Sequence, residues 1–428
     1  MAQFVCSNCG EGAAAWIGRC PSCNEWNTFK EFKEPSATGR SKNVEPFNTT
    51  TFKKIKTLEK NRKPTGLFEL DRVLGGGIVA GEVILLTGEP GVGKSTLLLQ
   101  SLKNLKTLYI SGEESAAQVK DRADRLGITF DQFTFSDTLQ VEAIVKGVDD
   151  LKLAPDVIVI DSVQTIYSKD VDSAPGSVSQ LREASAKLIK LSKQTGIPTI
   201  IVGHVTKDGD IAGPKTLEHM VDAVLTFEGE KISNFRVLRA QKNRFGSTDE
   251  IGIFEMQGLG LVEVDNPLAF IDEDKELHVP GKALVGVMEG RRPLFFEIQT
   301  LAAVSFLPVP RRVVKGVDYN KVLLLLAVLD RHLKLSLNKY DIYINVVGGV
   351  DIKSPAADLG IVASILSSVK NISLDPHMMF TGEVGLLGEV RKVVGQDRIV
   401  SEAERLKFTK TFSPLNIKTV VELADKLK

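Results

Sequence analysis

Residues 88–96, with the sequence GEPGVGKST, decide the fold of this chain. They contain the pattern G-x-x-x-x-G-K-[ST]. Its glycines let backbone N–H groups surround phosphate oxygens, and the next helix points its positive end at the same anion. The lysine of such a loop neutralises the β- and γ-phosphates, and the hydroxyl ligates Mg²⁺. We therefore predict that ATP and Mg²⁺ bind here, on Gly88, Glu89, Pro90, Gly91, Val92, Gly93, Lys94, Ser95 and Thr96.

The residues on either side of this loop agree with that prediction. Residues 83–87 (VILLT) form a short apolar run that predicts a buried strand, and residues 96–102 contain no helix breaker and predict a helix. The alternative, a glycine-rich turn with a chance lysine, does not account for a strand, a loop and a helix in this order. The pattern indicates an α/β nucleotide-binding core.

Two acidic residues follow predicted strands. Glu113 comes just after residues 107–111 (TLYIS), where a carboxylate can orient and polarise an attacking water. An acid at this place can also simply complement a helix dipole. Asp161 ends the run 156–161 (DVIVID), and we expect it to hold the Mg²⁺ shell. Short apolar runs ending in aspartate are common, so this prediction depends on the phosphate loop upstream.

A histidine and a basic turn follow further along the chain. The predicted strand 199–205 carries His204 near its end, which we interpret as a sensor of the γ-phosphate or of nucleic acid, with a structural histidine as the alternative. Beyond the predicted strand 235–240, in RAQKNRFG, Lys242 and Arg244 extend past the strand end. They are either a basic surface turn or cations that complete the nucleotide site of a neighbouring subunit, as an arginine finger does.

The N-terminal segment predicts a metal site. Its cysteines form two C-x-x-C pairs, a spacing that can close a tetrahedron of thiolates around Zn²⁺, with a redox dithiol as the alternative. We predict structural zinc on Cys6, Cys9, Cys20 and Cys23. Trp16 and Trp26 are expected to pack on the two pairs, contact with nucleic acid being the other interpretation. Residues 27–63 carry ten Lys/Arg against four Glu and predict a basic linker that is either solvated or in contact with nucleic acid.

Length, charge and apolar content limit the number of domains, the kind of partner and the classes of protein that this chain can belong to. The chain has 428 residues, enough for two or three domains. Its formal net charge is zero, so a polyanion would have to be bound by local patches. The longest apolar run, residues 322–329, is too short to span a membrane, and the N-terminus has no basic-then-apolar signal pattern. We expect a cytoplasmic protein with no membrane partner.

The motifs together carry a resemblance to a known family. The phosphate loop, SGEES, VIVID, HVTKDGDIAGP and QKNRFG occur in the order and spacing of a RecA-type core. With the N-terminal cysteines they are similar to the RadA (Sms) family of bacterial recombination and repair ATPases. The resemblance implies an α/β fold: a RecA-like P-loop ATPase core with a mainly parallel sheet, preceded by a zinc-ribbon-like knuckle and followed by an α+β domain. It implies a zinc-binding domain at 1–30, a basic linker at 31–63, an ATPase domain at 64–265 and a C-terminal domain at 266–428.

The C-terminal domain resembles the proteolytic domain of Lon proteases, which works with a serine nucleophile and a lysine base. Carried over by position, the nucleophile falls on Asp358 and the lysine on Asp397. An aspartate supplies neither the alcohol nor the amine, so the resemblance implies a domain without peptidase activity that assembles a ring and holds DNA.

DNA contacts are also implied by the resemblance. The loops 168–179 and 207–218 face the ring axis in RecA-like folds, and residues 309–315 (VPRRVVK) gather further cations. The implied DNA-binding residues are Lys169, His204, Lys207, Lys215, Arg311, Arg312 and Lys315. We expect binding to the backbone of single strands without base readout.

The sequence therefore favours a DNA-dependent ATPase and helicase that processes recombination intermediates as a homo-hexamer, with branch migration implied by the resemblance alone. An ATP-gated recombination mediator that binds DNA without translocating stays open, because a switch and a motor need the same phosphate loop. A remote alternative is an ATP-dependent protease, which positions 358 and 397 oppose. The implied partners are single-stranded and branched DNA and a recombinase of the RecA type.

Overall fold

The fold is described from a computed structural model, which covers residues 4–6, 11–31, 62–129, 131–150, 155–204, 213–229, 234–271 and 279–427. The chain forms two compact units. The first comprises residues 1–227 and 240–247, and the second comprises residues 228–239 and 248–428. The domain boundary that we predict at 266 stays a prediction, because this division follows compactness alone.

The first unit begins with a small antiparallel sheet of β1 (Phe4–Cys6), β2 (Gly12–Ala13) and β3 (Phe29–Glu31), in the order β2-β1-β3. Among the described residues of this N-terminal segment, Cys6, Cys20 and Phe29 form the buried core. A core this small cannot hold a segment of this length together by apolar burial alone, which favours a metal as the additional stabilising element.

A parallel sheet dominates the rest of this unit. Six strands lie in the order β9-β4-β8-β7-β5-β6, and every pairing among them is parallel. The strands are β4 (Val83–Gly88), β5 (Thr107–Ser111), β6 (Phe133–Ser136), β7 (Val157–Asp161), β8 (Thr199–His204) and β9 (Ala223–Glu228). The helices are α1 (Phe68–Leu74), α2 (Lys94–Ser101), α3 (Ala116–Arg125), α4 (Val141–Asp150), α5 (Val178–Thr195) and α6 (Gly213–Glu218).

The apolar runs in the sequence explain this sheet. Strands β4, β5 and β7 are buried along their whole length, as expected for parallel strands with both faces covered. The register pairs Gly88 with His204 and Ser111 with Asp161. Parallel strands end at the same edge of a sheet, so the polar residues at these four strand ends meet beside the start of α2.

The second unit is built on antiparallel hairpins and a mixed sheet. Strands β10 (Phe235–Asn243), β11 (Ile251–Gln257) and β12 (Gly260–Glu263) pair in succession, the last four residues of β10 belonging to the first unit. A six-stranded sheet has the order β15-β16-β14-β13-β17-β20. Its strands, with the separate pair β18 and β19, are β13 (Lys282–Glu289), β14 (Arg292–Val304), β15 (Arg312–Lys315), β16 (Tyr340–Val346), β17 (Met378–Phe380), β18 (Glu383–Val384), β19 (Val390–Arg391) and β20 (Lys410–Phe412).

The described residues of the second unit also form four α-helices: α7 (Tyr319–Leu333), α8 (Asp358–Lys370), α9 (Gln396–Arg405) and α10 (Val420–Lys426). Helix α8 is the most enclosed of them, because every residue from Asp358 to Ser367 is buried. None of the helices in the described part of the chain is long and apolar enough to cross a membrane.

The strands expected at 83–87, 107–111, 156–161 and 199–205 are confirmed as β4, β5, β7 and β8. One expectation is wrong. The stretch 207–218 is not a loop throughout, since α6 occupies its second half, with proline in the first turn where a missing N–H is tolerated. In the second unit, α8 begins directly after a 3₁₀ turn over Pro355–Ala357.

Candidate functional site

The phosphate loop joins β4 to α2 in the way that the glycine pattern predicts. A Cβ atom on Gly88 would lie 2.4 Å from the Phe227 carbonyl oxygen, and Gly93 precedes the helix in the left-handed conformation, with φ 112°. Both positions therefore require glycine. Lys94 is 4% exposed and donates hydrogen bonds to the carbonyl oxygens of Gly88 at 2.9 Å and Glu89 at 3.0 Å. Burial lowers the pKa of Lys94, against the attraction of nearby carboxylates.

Glu113 is held at two points. Its Oε1 accepts a hydrogen bond from Ser162 Oγ at 2.5 Å, and its Oε2 lies 3.1 Å from His204 Nε2. The other ring nitrogen, His204 Nδ1, lies 3.1 Å from Lys94 Nζ. An ammonium group has only donors, so Nδ1 must accept from Lys94, and Nε2 then carries the proton and donates to Glu113. A continuous chain of hydrogen bonds thus joins the phosphate-loop lysine to the carboxylate that we predict as the base.

Asp161 lies beside this chain and accepts two hydrogen bonds on one oxygen. Ser95 Oγ donates to its Oδ2 at 3.0 Å, and the buried Tyr109 hydroxyl donates to the same atom at 2.5 Å. Burial raises the pKa of Asp161 in spite of these bonds. Carboxylate and hydroxyl oxygens are the ligands that Mg²⁺ prefers, so Ser95 and Asp161 fit the metal predicted for them.

Lys242 and Arg244 do not join this cluster in their own chain. Lys242 Nζ donates to the carbonyl oxygens of Glu218 and Val221, both at 2.8 Å, at the C-terminal end of α6. Arg244 pairs with Asp222 at 3.3 Å, and its side chain is 58% exposed. Asp222 in turn accepts from the backbone N–H of Val83, the first residue of β4.

The two sets of residues therefore lie at opposite ends of β4. The phosphate loop follows Gly88, and the Asp222–Arg244 pair sits beside Val83. Five residue steps of a strand span roughly 16 Å. This is too far for Arg244 to reach a phosphate bound to its own loop.

The described cysteines converge as a metal site requires. The sulfur atoms of Cys6, Cys20 and Cys23 all lie within 4.8 Å of one another, and those of Cys6 and Cys23 are 3.7 Å apart. Two thiolates at ~2.3 Å from a tetrahedral Zn²⁺ would be separated by about 3.8 Å, so this spacing fits the ion. Cys9, the fourth predicted ligand, lies outside the described residues.

The residues expected to contact DNA are spread over several elements. In the first unit, Lys169 is exposed, while Lys207 lies outside the described residues and Lys215 lies in α6. The loop that carries Lys169 is fastened to α5. Lys187 Nζ contacts Glu142 and Asp170, both at 2.5 Å, and Gln180 bonds three carbonyl groups of the loop.

In the second unit, the cations of residues 309–315 do not act as one group. The Arg312 guanidinium donates to the carbonyl oxygens of Tyr340 at 2.5 Å and Leu337 at 2.9 Å, and burial lowers its pKa. Arg311 and Lys315 are exposed. Side chains alternate along β15, so Arg312 and Lys315 project from opposite faces of the sheet.

The two positions matched to the Lon dyad have contrasting surroundings. Asp358 is 2% exposed, lines a cavity of 410 Å³ and pairs with Lys321 at 2.7 Å. Burial raises its pKa to about 6, against the attraction of that lysine. The side chain of Asp397 is 75% exposed and pairs with Lys392 at 3.1 Å.

Two site residues were missed from the sequence: Ser162, which bonds directly to Glu113, and Tyr109, which bonds directly to Asp161. A signal existed for each. Ser162 directly follows the acid that ends β7, and Tyr109 is the one residue of β5 with a polar tip beyond an apolar ring. Neither pattern is specific without the register that brings the strands together.

Comparison with known proteins covers nearly the whole chain. The family model described as KaiC, an ATPase, matches residues 63–266, and the model described as rubredoxin metal binding domain matches residues 4–31. Three relatives carry the name DNA repair protein RadA. That of Listeria monocytogenes is 47% identical over 97% of this chain and 92% of its own length. Those of Halalkalibacterium halodurans and Bacillus subtilis are each 46% identical over 96% of this chain and 92% of their own length.

Two solved structures match about half of the chain. The crystal structure of the RadB recombinase covers 47% of this chain and 99% of its own at 22% identity, with a TM-score of 0.39. A second structure, described as an ATPase domain, covers 47% of this chain and 91% of its own at 15% identity, with a TM-score of 0.42.

Proposed function

Because this chain belongs to the family of the DNA repair protein RadA, an ATP-hydrolysing family of DNA repair, we propose that it is a DNA-dependent ATPase and helicase. In this proposal it acts in the cytoplasm as a homo-hexamer, on single-stranded and branched DNA, and extends strand exchange by branch migration alongside a recombinase of the RecA type. The relatives' shared name supports a role in repair. The finer activity is supported by the arrangement of the site.

The observation that carries the proposal is the separation of Arg244 from its own phosphate loop. Lys242 and Arg244 lie at the Val83 end of β4, and Lys94 lies at the other end. An exposed guanidinium that cannot serve its own nucleotide is available to the nucleotide of a neighbouring copy. Hydrolysis would then depend on assembly, which couples each turnover to motion between subunits.

The chemistry within one subunit follows from the hydrogen-bonded chain. Glu113, oriented by Ser162 and His204, would take the proton of the attacking water. Lys94 would leave the carbonyl groups that it contacts and bind the β- and γ-phosphates. Mg²⁺, held near Ser95 and Asp161, would offset the charge of the phosphates.

His204 connects this chemistry to the DNA. When Lys94 turns to the phosphates, Nδ1 of His204 loses its donor, so the chain that holds Glu113 changes with the nucleotide state. His204 is also the last residue of β8, and it shortly precedes the stretch 207–218, which the family resemblance implies faces DNA. This supports His204 as the residue through which bound DNA and bound nucleotide influence each other.

The test compares Arg244→Ala with Arg125→Ala, an exposed arginine at the end of α3 in the same unit. Arg244→Ala is expected to bind ATP normally and to lose DNA-stimulated hydrolysis by a factor of about 10³, as loss of an arginine finger does. Arg125→Ala is expected to behave like the wild type. Mixing Arg244→Ala with Lys94→Ala protein should restore part of the activity, since each supplies the group that the other lacks.

Unchanged turnover in Arg244→Ala would show that this residue is only a surface cation. Unwinding of a forked substrate then separates the motor from the alternative, an ATP-gated mediator. Wild type should unwind the fork and Lys94→Ala should not. A wild-type protein that binds the fork in an ATP-dependent manner without unwinding it would establish the mediator instead.

A further inference from the structure

The N-terminal cysteine segment exposes both tryptophans of the chain. Trp16 is 54% exposed and Trp26 is 67% exposed, and neither belongs to the small core of this segment. The expectation that they pack on the cysteine pairs is therefore wrong. Large apolar surface left in water on so small an element indicates a binding surface.

The two indole rings are held in place by polar contacts. Trp16 Nε1 donates a hydrogen bond to the Phe29 carbonyl oxygen at 3.1 Å. Trp26 pairs with Arg19 across an antiparallel bridge, and the Arg19 guanidinium carbon lies 5.7 Å from the Trp26 ring centroid. Arg19 is itself fixed, because its Nε donates to the Asn24 carbonyl oxygen at 3.0 Å. The rings are thus oriented although they are not buried.

A glycine separates the two rings. A Cβ atom on Gly18 would lie 3.6 Å from Trp16 Cη2 and 3.8 Å from Trp26 Cζ3, so both rings lie close to this residue. Gly18 is not among the glycines with positive φ, and its backbone conformation therefore does not require glycine. We use the term aromatic cleft for the surface where both rings adjoin this residue, which has no side chain, with the Arg19 guanidinium group beside the Trp26 ring.

We propose that this aromatic cleft, formed by Trp16, Gly18, Arg19 and Trp26, binds an unstacked base of single-stranded DNA. Indole rings and a planar guanidinium stack on any base, whatever its sequence. The charge of the adjoining sequence fits the same ligand, since residues 27–63 carry ten Lys/Arg against four Glu and favour a polyanion. The inference rests on the proposal that the protein acts on DNA, but it does not depend on hydrolysis or translocation.

The chain provides its own optical reporter for this test. It contains two tryptophans, both in the cleft, so selective tryptophan excitation of the full-length, zinc-loaded protein observes this site alone. The ligands are an oligothymidylate and an abasic oligomer of the same length, added without nucleotide. The oligothymidylate should quench the fluorescence to saturation, while the abasic oligomer, which keeps the phosphates, should bind more weakly without quenching.

Two variants test the contacts. Trp26→Ala should weaken oligothymidylate binding about tenfold or more, as loss of one stacking partner does, and leave abasic binding unchanged. Gly18→Val should do the same by filling the cleft while keeping both rings, so the test holds even if Trp26→Ala loses its zinc. The control is Leu259→Ala, which removes an apolar side chain, 78% exposed, from the second unit and should bind like the wild type.

Equal affinity and equal quenching for the two oligomers would overturn the proposal, as would quenching by a proline-rich peptide but not by DNA. This failure is distinguishable from failure of the proposed function. If oligothymidylate stimulates ATP hydrolysis without quenching the tryptophans, only the cleft is refuted. If no form of DNA changes hydrolysis, the proposed function fails as well.

Discussion

The carboxyl group of Asp358 gives the sharpest test of the second unit. It is 2% exposed, and burial raises its pKa from 3.8 to about 6 although Lys321 lies 2.7 Å away. The folded state therefore binds this proton more tightly than the unfolded state does. The resulting stability is fully present below pH 3.8 and is lost as the pH rises through about 6. A pKa shift of this size lowers the free energy of unfolding at pH 8 by about 3 kcal/mol, compared with a group that stays protonated.

We predict that Asp358→Asn removes the loss of stability that the wild type shows at high pH, because an amide does not ionise. The amide keeps the shape of the carboxyl group, and its oxygen can still accept from Lys321 and from the Val384 N–H, which lies 3.1 Å from Asp358 Oδ2 in the wild type. At pH 8 the variant should be more stable than the wild type by up to about 3 kcal/mol, which raises the melting temperature of a unit of this size by roughly 6–12 °C. Near pH 4 the two proteins should melt together.

The assay is calorimetric melting of the full chain between pH 4 and pH 8, with hydrogen exchange of the α8 amides assigning the change to the second unit. Asp397→Asn is the matched control, because that carboxyl group is exposed and pairs only at the surface. It should leave the melting curve unchanged at every pH. An Asp358→Asn protein that is less stable at pH 8, or one with the pH dependence of the wild type, would refute the reasoning.

Two further predictions concern the first unit. Ser162→Ala should lower kcat for ATP hydrolysis about tenfold or more with little change in KM, because Glu113 loses a hydrogen bond without loss of nucleotide contacts. In a Glu113→Gln background the same change should have no additional effect; additive losses in the double mutant would contradict a shared role. Cys20→Ser should remove the bound zinc and unfold the cysteine segment while ATP binding persists, as metal analysis and nucleotide titration would show. Wild-type protein purified without zinc would refute that prediction.

The sequence predicted the fold around the phosphate loop because its signals are local. The spacing of Gly88, Gly93 and Lys94 determines a loop geometry by itself, and apolar runs marked the strand that ends at Asp161 and the strand that ends just before Glu113. What it could not predict depends on which strands become neighbours. Ser162 matters only because β7 pairs with β5, a register set by the whole sheet.

Other features could not be predicted because they depend on tertiary contacts or because the local sequence is ambiguous. Trp16 and Trp26 are exposed, whereas their large apolar rings led us to expect that they would be buried. Strand β15 was missed because it is only four residues long and has a charged residue at each end, although Arg312 donates to main-chain carbonyl groups. Arg244 pairs with Asp222, directly before β9, and Asp222 also accepts from Val83 at the start of β4; no local pattern indicates these contacts.

The two ends of β4 also determine what symmetry an assembly can have. If the phosphate loop of one copy receives Arg244 from the next, the two surfaces in contact are different patches of the same molecule. A two-fold axis could complete both sites only if the phosphate loop and Arg244 lay within one contact patch, whereas a head-to-tail contact needs no such condition. A heterologous contact does not by itself limit the number of copies that assemble. A small change in the rotation between neighbours converts a closed ring into an open helical filament.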